Sequence, residues 1–143
     1  MSIKQLSIFV ENKPGRMADI ARMIADAGID IRALSLADTS SYGVLRLIVD
    51  RPEAAEKALR GRGLTLSLTP VLAVRMDDRP GGFARVLEAL AEGDVNVEYL
   101  YAFICRQAGH AAVILRVEDP ERAAKLLTGQ GVSLLGQDEI FSE

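Results

Sequence analysis

The chain contains an internal repeat, and this repeat constrains its fold more than any other feature. The segment ENKPGRMADIARMIADAGIDI begins at Glu11, and the closely similar segment DDRPGGFARVLEALAEGDVNV begins at Asp77, 66 positions later. Farther along the chain, Pro52 matches Pro120 at an offset of 68 positions. The two extra residues fall around CRQAGH, where a turn between strands would absorb them at little cost.

Two copies of one compact unit explain this repeat better than a solenoid does. A solenoid needs more copies with a shorter period, whereas 143 residues are enough for two very small domains. We therefore predict two domains, residues 1–68 and residues 69–143.

Each copy shows the same alternation of strand and helix patterns. Apolar residues alternate in LSIFV and VLAVRM, and they recur at helical spacing from Met17 and from Phe83. Two further strands, a second helix that opens at a proline, and a short closing strand complete each copy. The order strand-helix-strand-strand-helix-strand predicts an α+β fold of two ferredoxin-like βαββαβ units in tandem. Each unit would be an antiparallel sheet with helices on one face.

Local signals mark the helix ends in both copies. Pro14 and Pro80 suit the first turn of a helix, where a missing N–H has no cost. Gly28 and Gly93 suit the helix exits.

The composition gives little support to several classes of function. The net charge is -3 and no basic stripe is present, which argues against nucleic-acid binding. We see neither a signal peptide nor an apolar run long enough for a membrane span, and we expect a cytoplasmic protein. One cysteine, Cys105, and one histidine, His110, do not predict a metal site. No phosphate-binding or catalytic motif is found, so we expect neither an enzyme nor a bound cofactor.

The segments NKPGRM…GIDI and DRPGGF…DVNV together resemble the ACT domain. The shared pattern is Asn or Asp, any residue, Pro and Gly before a helix, with Ile-Asp or Val-Asn about fifteen residues later. The resemblance covers essentially the whole chain as two tandem units. It implies a small-molecule sensor, most often for an amino acid, whose ligand lies where two ACT units meet. It also implies a free-standing regulatory module that forms a homodimer or associates with a metabolic enzyme.

The resemblance places ligand contacts in the loop before the first helix and at the start of the second strand. A helix N-terminus suits a ligand carboxylate, a glycine allows close approach, and side-chain oxygens suit an ammonium group. The candidate residues in the first copy are Asn12, Lys13, Pro14, Gly15, Arg16 and Asp30. Those in the second copy are Asp78, Arg79, Pro80, Gly81, Gly82 and Asn96.

Structural interpretations of the same residues stay open. Asn12 and Asp78 could be helix N-caps, and the Pro-Gly pairs could be tight turns only. Asp30 and Asn96 could simply begin strands, while Lys13 and Arg79 could be solvated. A stripe of Tyr99, Tyr101 and Phe103 could pack an interface or line a ligand pocket. As an alternative function, the chain could be a ligand-independent dimerisation or partner-docking module.

Overall fold

A computed structural model of the chain describes residues 2–38, 41–103 and 109–142. Cys105 lies outside the described residues, as does most of the segment CRQAGH. The strands are β1 Ile3–Glu11, β2 Ile31–Asp38, β3 Tyr42–Val49, β4 Leu66–Asp77, β5 Val97–Phe103, β6 His110–Val117 and β7 Ser133–Leu135. The helices are α1 Arg16–Asp26, α2 Pro52–Arg60, α3 Gly82–Glu92, α4 Pro120–Gly129 and α5 Gln137–Phe141.

The chain divides into two compact units. The first unit is Lys4–Thr69, and the second comprises the chain from Pro70 onward together with the N-terminal residues through Ile3. The division falls inside β4.

The first unit is a sheet whose apolar face packs against α1 and α2. Strand β3 pairs antiparallel with both β1 and β2, with Leu6 opposite Leu47 in the β1–β3 register. Alternation along β1 places every second side chain in the core that α1 and α2 complete. The fully buried members of this core include Leu6, Ile8, Ile20, Leu47 and Leu59.

The second unit repeats this plan with different side chains. Strand β6 pairs antiparallel with β4 and β5, and β7 pairs antiparallel with β4. Its core contains Leu72, Leu90, Leu115 and Leu127, which come from two strands and two helices. The predicted α+β fold of two ferredoxin-like units, with antiparallel strands and helices, is confirmed.

Two elements differ from the sequence-based expectation. The closing strand of the first copy and the opening strand of the second form one continuous strand, β4, which passes through Pro70 without ending there. The short helix α5 was not expected. The Glu139 carboxylate accepts a hydrogen bond from the Gly136 N–H at 3.2 Å, and Ile140 is buried, so this one-turn helix is held at two points.

The exits of α1 and α3 use glycine for different reasons. Gly28 has φ +70°, and the next residue, Ile29, donates its N–H to the Ile24 carbonyl at 3.2 Å. In the second unit Asp94, with φ 57°, takes this left-handed position. Gly93 precedes it, and a Cβ there would lie 2.2 Å from Leu126 Cδ2. Gly28 is therefore required by its backbone conformation, and Gly93 by the packing of Leu126.

We expect Gly28→Ala to lower the free energy of unfolding by about 1–2 kcal/mol, because an L-residue is strained at positive φ. A Cβ at Gly28 would approach only Arg51 Nη2, at 3.5 Å, so the loss would come from strain and not from a clash. Urea denaturation measures the change.

The matched control for this change is Gly129→Ala. Gly129 ends α4 and a Cβ there would meet nothing within 4 Å. This substitution should stabilise the protein by roughly 0.5–1 kcal/mol, since alanine is the better helix former. Equal effects of the two substitutions would contradict the assignment of strain to Gly28.

Candidate functional site

Each unit connects its first strand to its first helix through a type II turn. In the first unit the Arg16 N–H donates to the Lys13 carbonyl at 3.2 Å, and Gly15 has φ 83° and ψ -13°. In the second unit the Gly82 N–H donates to the Arg79 carbonyl at 3.0 Å. Proline presets the second turn position and glycine supplies the positive φ of the third. The two Pro-Gly pairs are thus true turns.

These turns correct two expectations about the helix starts. Helix α1 begins at Arg16 and α3 begins at Gly82, so Pro14 and Pro80 lie in the turns and not in the first helical turn. The N-cap residues are glycines, Gly15 and Gly81, and neither helix has a side-chain cap. The interpretation of Asn12 and Asp78 as N-caps is therefore wrong.

Because glycine has no side chain to cap the helix, both helices begin with open N–H groups. Within the described residues, the N–H groups of Met17 and Ala18 in α1 donate to no acceptor, and neither do those of Phe83 and Ala84 in α3. Unpaired N–H groups and the helix dipole make such an end partially positive. Both units thus offer donors to an anionic group.

The structure does not bring the two halves of each predicted site together within a unit. Glu11, next to Asn12, pairs with Tyr42, whereas Ile31, next to Asp30, pairs with Val49. Tyr42 and Val49 are the two ends of β3, so the predicted contacts lie roughly 24 Å apart at 3.4 Å per residue. Asp78 and Asn96 are separated in the same way along β6. The two halves of the predicted site therefore cannot contact one small ligand within a single unit.

Asp30 has a local structural role at its end of the sheet. Its N–H donates to the Asp50 carboxylate at 3.0 Å, and its carbonyl accepts from the Asp50 N–H at 3.1 Å. These two bonds join the start of β2 to the end of β3. Asn96, in the same position before β5, is exposed. The backbone of Asp30 therefore helps to begin strand β2.

The first unit has a small cavity beside its loop. The cavity encloses about 60 Å³ and is lined by Val10, Glu11, Asn12, Lys13, Met17, Leu36 and Gly43. Asn12 and Lys13 are thus the two predicted residues that line it. Lys13 forms an ion pair with Glu11 at 2.9 Å on the surface.

The Lys13–Glu11 pair changes the acidity of both groups. The hydrogen bond from Lys13 lowers the pKa of the Glu11 carboxyl, and the same contact raises the pKa of the Lys13 ammonium. Both charges therefore persist at neutral pH. The Lys13 side chain is 71% exposed, so the interpretation of Lys13 as a solvated loop residue agrees with the structure, and its charge is paired with that of Glu11.

We expect Lys13→Ala to raise the pKa of Glu11 toward its ordinary value, because the hydrogen bond that favours the carboxylate is lost. An NMR titration of the Glu11 side-chain carboxyl carbon measures the midpoint. Lys57→Ala, which removes a lysine from α2, is the control and should leave the midpoint unchanged. A Glu11 midpoint that is the same in the wild type and Lys13→Ala would refute the pairing.

The loop of the second unit has an ion pair of the same spacing. Arg79 Nη2 lies 3.2 Å from Asp77 Oδ2. In both loops the basic residue thus pairs with the carboxylate two residues before it, which is Glu11 for Lys13. The Asp78 N–H donates to the Gly109 carbonyl at 3.0 Å, and the Asp78 side chain is exposed. Asp78 is therefore fixed through its backbone, and its carboxylate faces solvent.

A second cavity, of about 90 Å³, lies in the second unit. Of the predicted residues, Gly82 contributes to its lining. The other lining residues are Arg75, Met76, Asp77, Arg85, Val86, His110, Gly131, Val132 and Ser133. Sequence reasoning missed the polar members of this set because they are scattered over four elements. The available signal was the alignment of the two copies, in which three of these positions differ in charge or polarity.

Gly82 is required by the close approach of the chain before it. A Cβ at this position would lie 2.1 Å from the Asp77 carbonyl oxygen. Arg16 occupies the corresponding first position of α1, so the first unit accommodates a side chain where the second cannot. The two loops share the type II turn, but in the second unit the backbone before the turn lies closer to the first residue of the helix.

We expect Gly82→Ala to lower the free energy of unfolding by about 1–3 kcal/mol, since the backbone must shift to relieve the contact with Asp77. Arg16→Ala, the matched change in the first unit, should alter it by no more than about 0.5 kcal/mol. Guanidinium chloride denaturation of both variants compares them directly. A loss at Arg16 as large as that at Gly82 would contradict the difference between the loops.

The remaining sequence candidates are placed as follows. Tyr99, Tyr101 and Phe103 alternate along β5 with exposed residues and are half-buried. No helix in the described part of the chain is long and apolar enough to cross a membrane. Residues 2–38, 41–103 and 109–142 contain no group of three or more His, Cys, Asp or Glu side chains arranged to hold a metal ion.

Comparisons with known proteins agree with this architecture. The sequence matches the family described as "ACT domain pair" over residues 1–142. The crystal structure of protein BT0572 from Bacteroides thetaiotaomicron is 33% identical, with a TM-score of 0.93 over 100% of this chain and 98% of that chain. The ligand-free regulatory subunit of aspartate kinase from Thermus thermophilus is 20% identical, with a TM-score of 0.66 over 89% of this chain and 91% of that chain. The corresponding Thermus flavus subunit is 19% identical, with a TM-score of 0.62 over 90% and 92%. No curated protein matches the sequence significantly.

Proposed function

This chain belongs to the ACT domain pair family, and from that membership we propose that it is a non-catalytic sensor of an amino acid or a similar small carboxylate. Binding would favour one conformation or one association state of the protein, which is how a ligand without turnover can regulate. The proposal includes a cytoplasmic location and a role in amino-acid metabolism.

The observation that carries this proposal is the pair of open helix N-termini behind the Pro-Gly turns. Each has two unpaired N–H groups, which suit a carboxylate. Next to each lies an exposed polar side chain, Asn12 in the first unit and Asp78 in the second, with an oxygen that can accept from an ammonium group. Donors for one end of a zwitterion and an acceptor for the other thus occur in one loop.

The separation of loop and strand start within each unit extends the proposal to a shared site. Asp30 and Asn96 can reach a ligand in a β–α loop only if that loop belongs to another ACT unit. We therefore propose that the ligand binds where ACT units meet. Association as a homodimer, and with a metabolic enzyme, is part of this proposal. It is made by analogy with the aspartate kinase regulatory subunits that share the fold.

The first experiment is a thermal-shift screen of refolded protein against the twenty amino acids and the common 2-oxo acids. A ligand at 100 times its dissociation constant should stabilise the fold by about 2.7 kcal/mol. A selective upward shift supports the sensor. A flat screen would count against it for these ligand classes.

Two substitutions locate any binding that the screen finds. Asn12→Ala should weaken binding at the first loop and Asp78→Ala at the second, each by about tenfold for one charge-assisted hydrogen bond. Asp26→Ala, at the far end of α1, is the matched control and should bind as the wild type does. Gly15 is unsuitable for this test, because its φ of 83° makes any substitution strain the turn. Unchanged affinity in both loop variants would rule out the proposed contacts.

A docking module is the second candidate, and exposed apolar side chains of the first unit favour it. Phe9 is 59% exposed, Leu34 59%, Leu36 49% and Tyr42 55%. The strand registers place Phe9 and Tyr42 on one face of the sheet and Leu34 and Leu36 on the other. Contiguous exposed apolar surface often marks an interaction site, so the two pairs are separate candidate surfaces. If Phe9→Ser and Leu34→Ser abolish self-association without altering amino-acid binding, the two functions are separate. If ligand binding is lost together with self-association, the site depends on the interface.

A further inference from the structure

The side chain of Arg116 connects two strands of the second unit. It lies near the end of β6, whose neighbours in the sheet are β5 and β4. Its Nε donates to the Glu98 carboxylate of β5 at 3.1 Å, and its Nη1 donates to the Pro70 carbonyl of β4 at 2.7 Å. We propose that Arg116 is a positioning residue through which the start of β5 and the Pro70 segment of β4 influence each other. This pair of contacts is called the Arg116 link below.

The Glu98 end of the Arg116 link lies at a β-bulge beside a candidate ligand contact. The pairing of β5 with β6 shifts its register between Val97 and Tyr99, which makes Glu98 the extra residue of the bulge. Bulges re-aim side chains, and this one accompanies the contact of Glu98 with Arg116. The exposed Asn96, a candidate ligand contact, comes directly before β5. An event at the start of β5 therefore occurs next to one end of the link.

The Pro70 end lies where the chain passes from the first unit to the second. Thr69 is the last residue of the first unit, and the main segment of the second unit begins at Pro70. Proline has no N–H to donate to a neighbouring strand, so side-chain contacts gain weight at this point of β4. The Thr69 and Ser7 hydroxyl oxygens lie 2.8 Å apart within the first unit, and Arg116 binds the Pro70 carbonyl within the second. Each side of the division is thus held by its own unit.

One guanidinium group makes both contacts, so the two acceptors do not act independently. The group is planar and its N–H donors form a rigid fork, so a movement of the Glu98 carboxylate turns the donor that serves Pro70. The Arg116 side chain is 23% exposed and that of Glu98 is 45% exposed. The carboxylate is therefore accessible to a change in its surroundings, while the arginine is largely shielded. Hydrogen bonds to charged groups are the stronger ones, so loss of the Glu98 charge should loosen the hold on Pro70.

The repeat assigns this link to the second unit. The first unit has a bulge at the same place, between β2 and β3, but its extra residue is Arg32 where the second unit has Glu98. Ile48 stands where the second unit has Arg116. Isoleucine has no side-chain donor, so the first unit cannot form the link from that position.

In a sensor, the Arg116 link would connect ligand binding with the chain that leads from one unit to the other. This use of the link rests on the proposed function, whereas the link itself does not. A ligand at Asn96 that moved Glu98 would change the hold on Pro70. Coupling is reciprocal, so a change at Pro70 would also alter the start of β5.

The test changes one end of the link and observes the other in ligand-free, full-length protein. Glu98→Gln removes the charge that Arg116 binds in β5 and leaves Arg116 in place. Triple-resonance NMR follows the Pro70 carbonyl carbon and the Val71 amide nitrogen, which belong to one peptide group. We expect the carbonyl carbon to move upfield, as it does when a hydrogen bond to its oxygen weakens, and the Val71 nitrogen to shift with it. Arg116→Gln should shift both signals further.

The double variant tests whether Arg116 carries the effect. If Glu98 acts on Pro70 through Arg116, the double variant Glu98→Gln/Arg116→Gln should give the same Pro70 signals as Arg116→Gln alone. Arg116→Lys keeps the charge without the fork and serves if Arg116→Gln fails to fold. In that background Glu98→Gln should cause little further shift.

The first unit offers a matched control. Arg60 donates to the Glu56 carboxylate at 3.3 Å and to the Leu66 carbonyl of β4 at 2.7 Å. Glu56→Gln therefore makes the same change of charge beside an arginine that also binds a carbonyl of this strand. It should leave the Pro70 and Val71 signals unchanged.

Each outcome decides the proposal. Unchanged Pro70 and Val71 signals in Glu98→Gln would show that Arg116 binds its two acceptors independently, and the link would be overturned. Additive shifts in the double variant, or an equal shift in Glu56→Gln, would overturn it too. A flat amino-acid screen would reject the proposed sensor function and leave the link in place, since none of these measurements uses a ligand.

Discussion

A single hydrogen bond across four residues determines how each unit presents its first helix. The bond from Arg16 N to the Lys13 carbonyl, and its counterpart from Gly82 to Arg79, hold a turn that only a residue at positive φ can complete. The glycine that satisfies this requirement also becomes the N-cap and has no side chain to offer. Open helix N-termini are therefore a consequence of the turn. Glycine therefore both allows the turn and leaves the N–H groups at the start of the helix open to a ligand.

Local pattern predicted the fold well because alternation and helical spacing report burial directly. It predicted the candidate site less well. Asn12 and Asp30 were chosen from local sequence signals, whereas the distance between them depends on the order and direction of the strands. Strands β1 and β2 run in the same direction. The last residue of β1 and the first residue of β2 therefore lie at opposite ends of the strands. The strand order alone would have shown that neither unit can assemble the predicted pair. Helix starts were misplaced for a simpler reason, because proline is common both in the first helical turn and in a type II turn.

The two units also share one contact that is made from different sequence positions. In the first unit Arg51 Nη2 donates to the Gly28 carbonyl at 2.5 Å, at the exit of α1. In the second unit Arg122 donates to the Gly93 carbonyl at the exit of α3. The repeat position of Arg51 is Asp119, which instead caps α4 through the Arg122 N–H at 3.1 Å. A long flexible guanidinium can reach one carbonyl from either place, so an alignment of the two copies does not reveal the shared role.

The two units are alike where the backbone conformation requires a particular residue, and they differ where it does not. The Pro-Gly turns cannot change without strain, and both units keep them. The side chains beside the turns carry no such constraint, and there Phe9, Asp19 and Tyr42 stand where the second unit has Arg75, Arg85 and His110. The units consequently present equivalent helix N-termini in different electrostatic surroundings. Helix α1 has Arg16 and Asp19 in its first turn, whereas α3 has Gly82 and Arg85 at the same positions. The same Pro-Gly turn therefore leads into a first helical turn of mixed charge in α1 and into one without an acidic residue in α3.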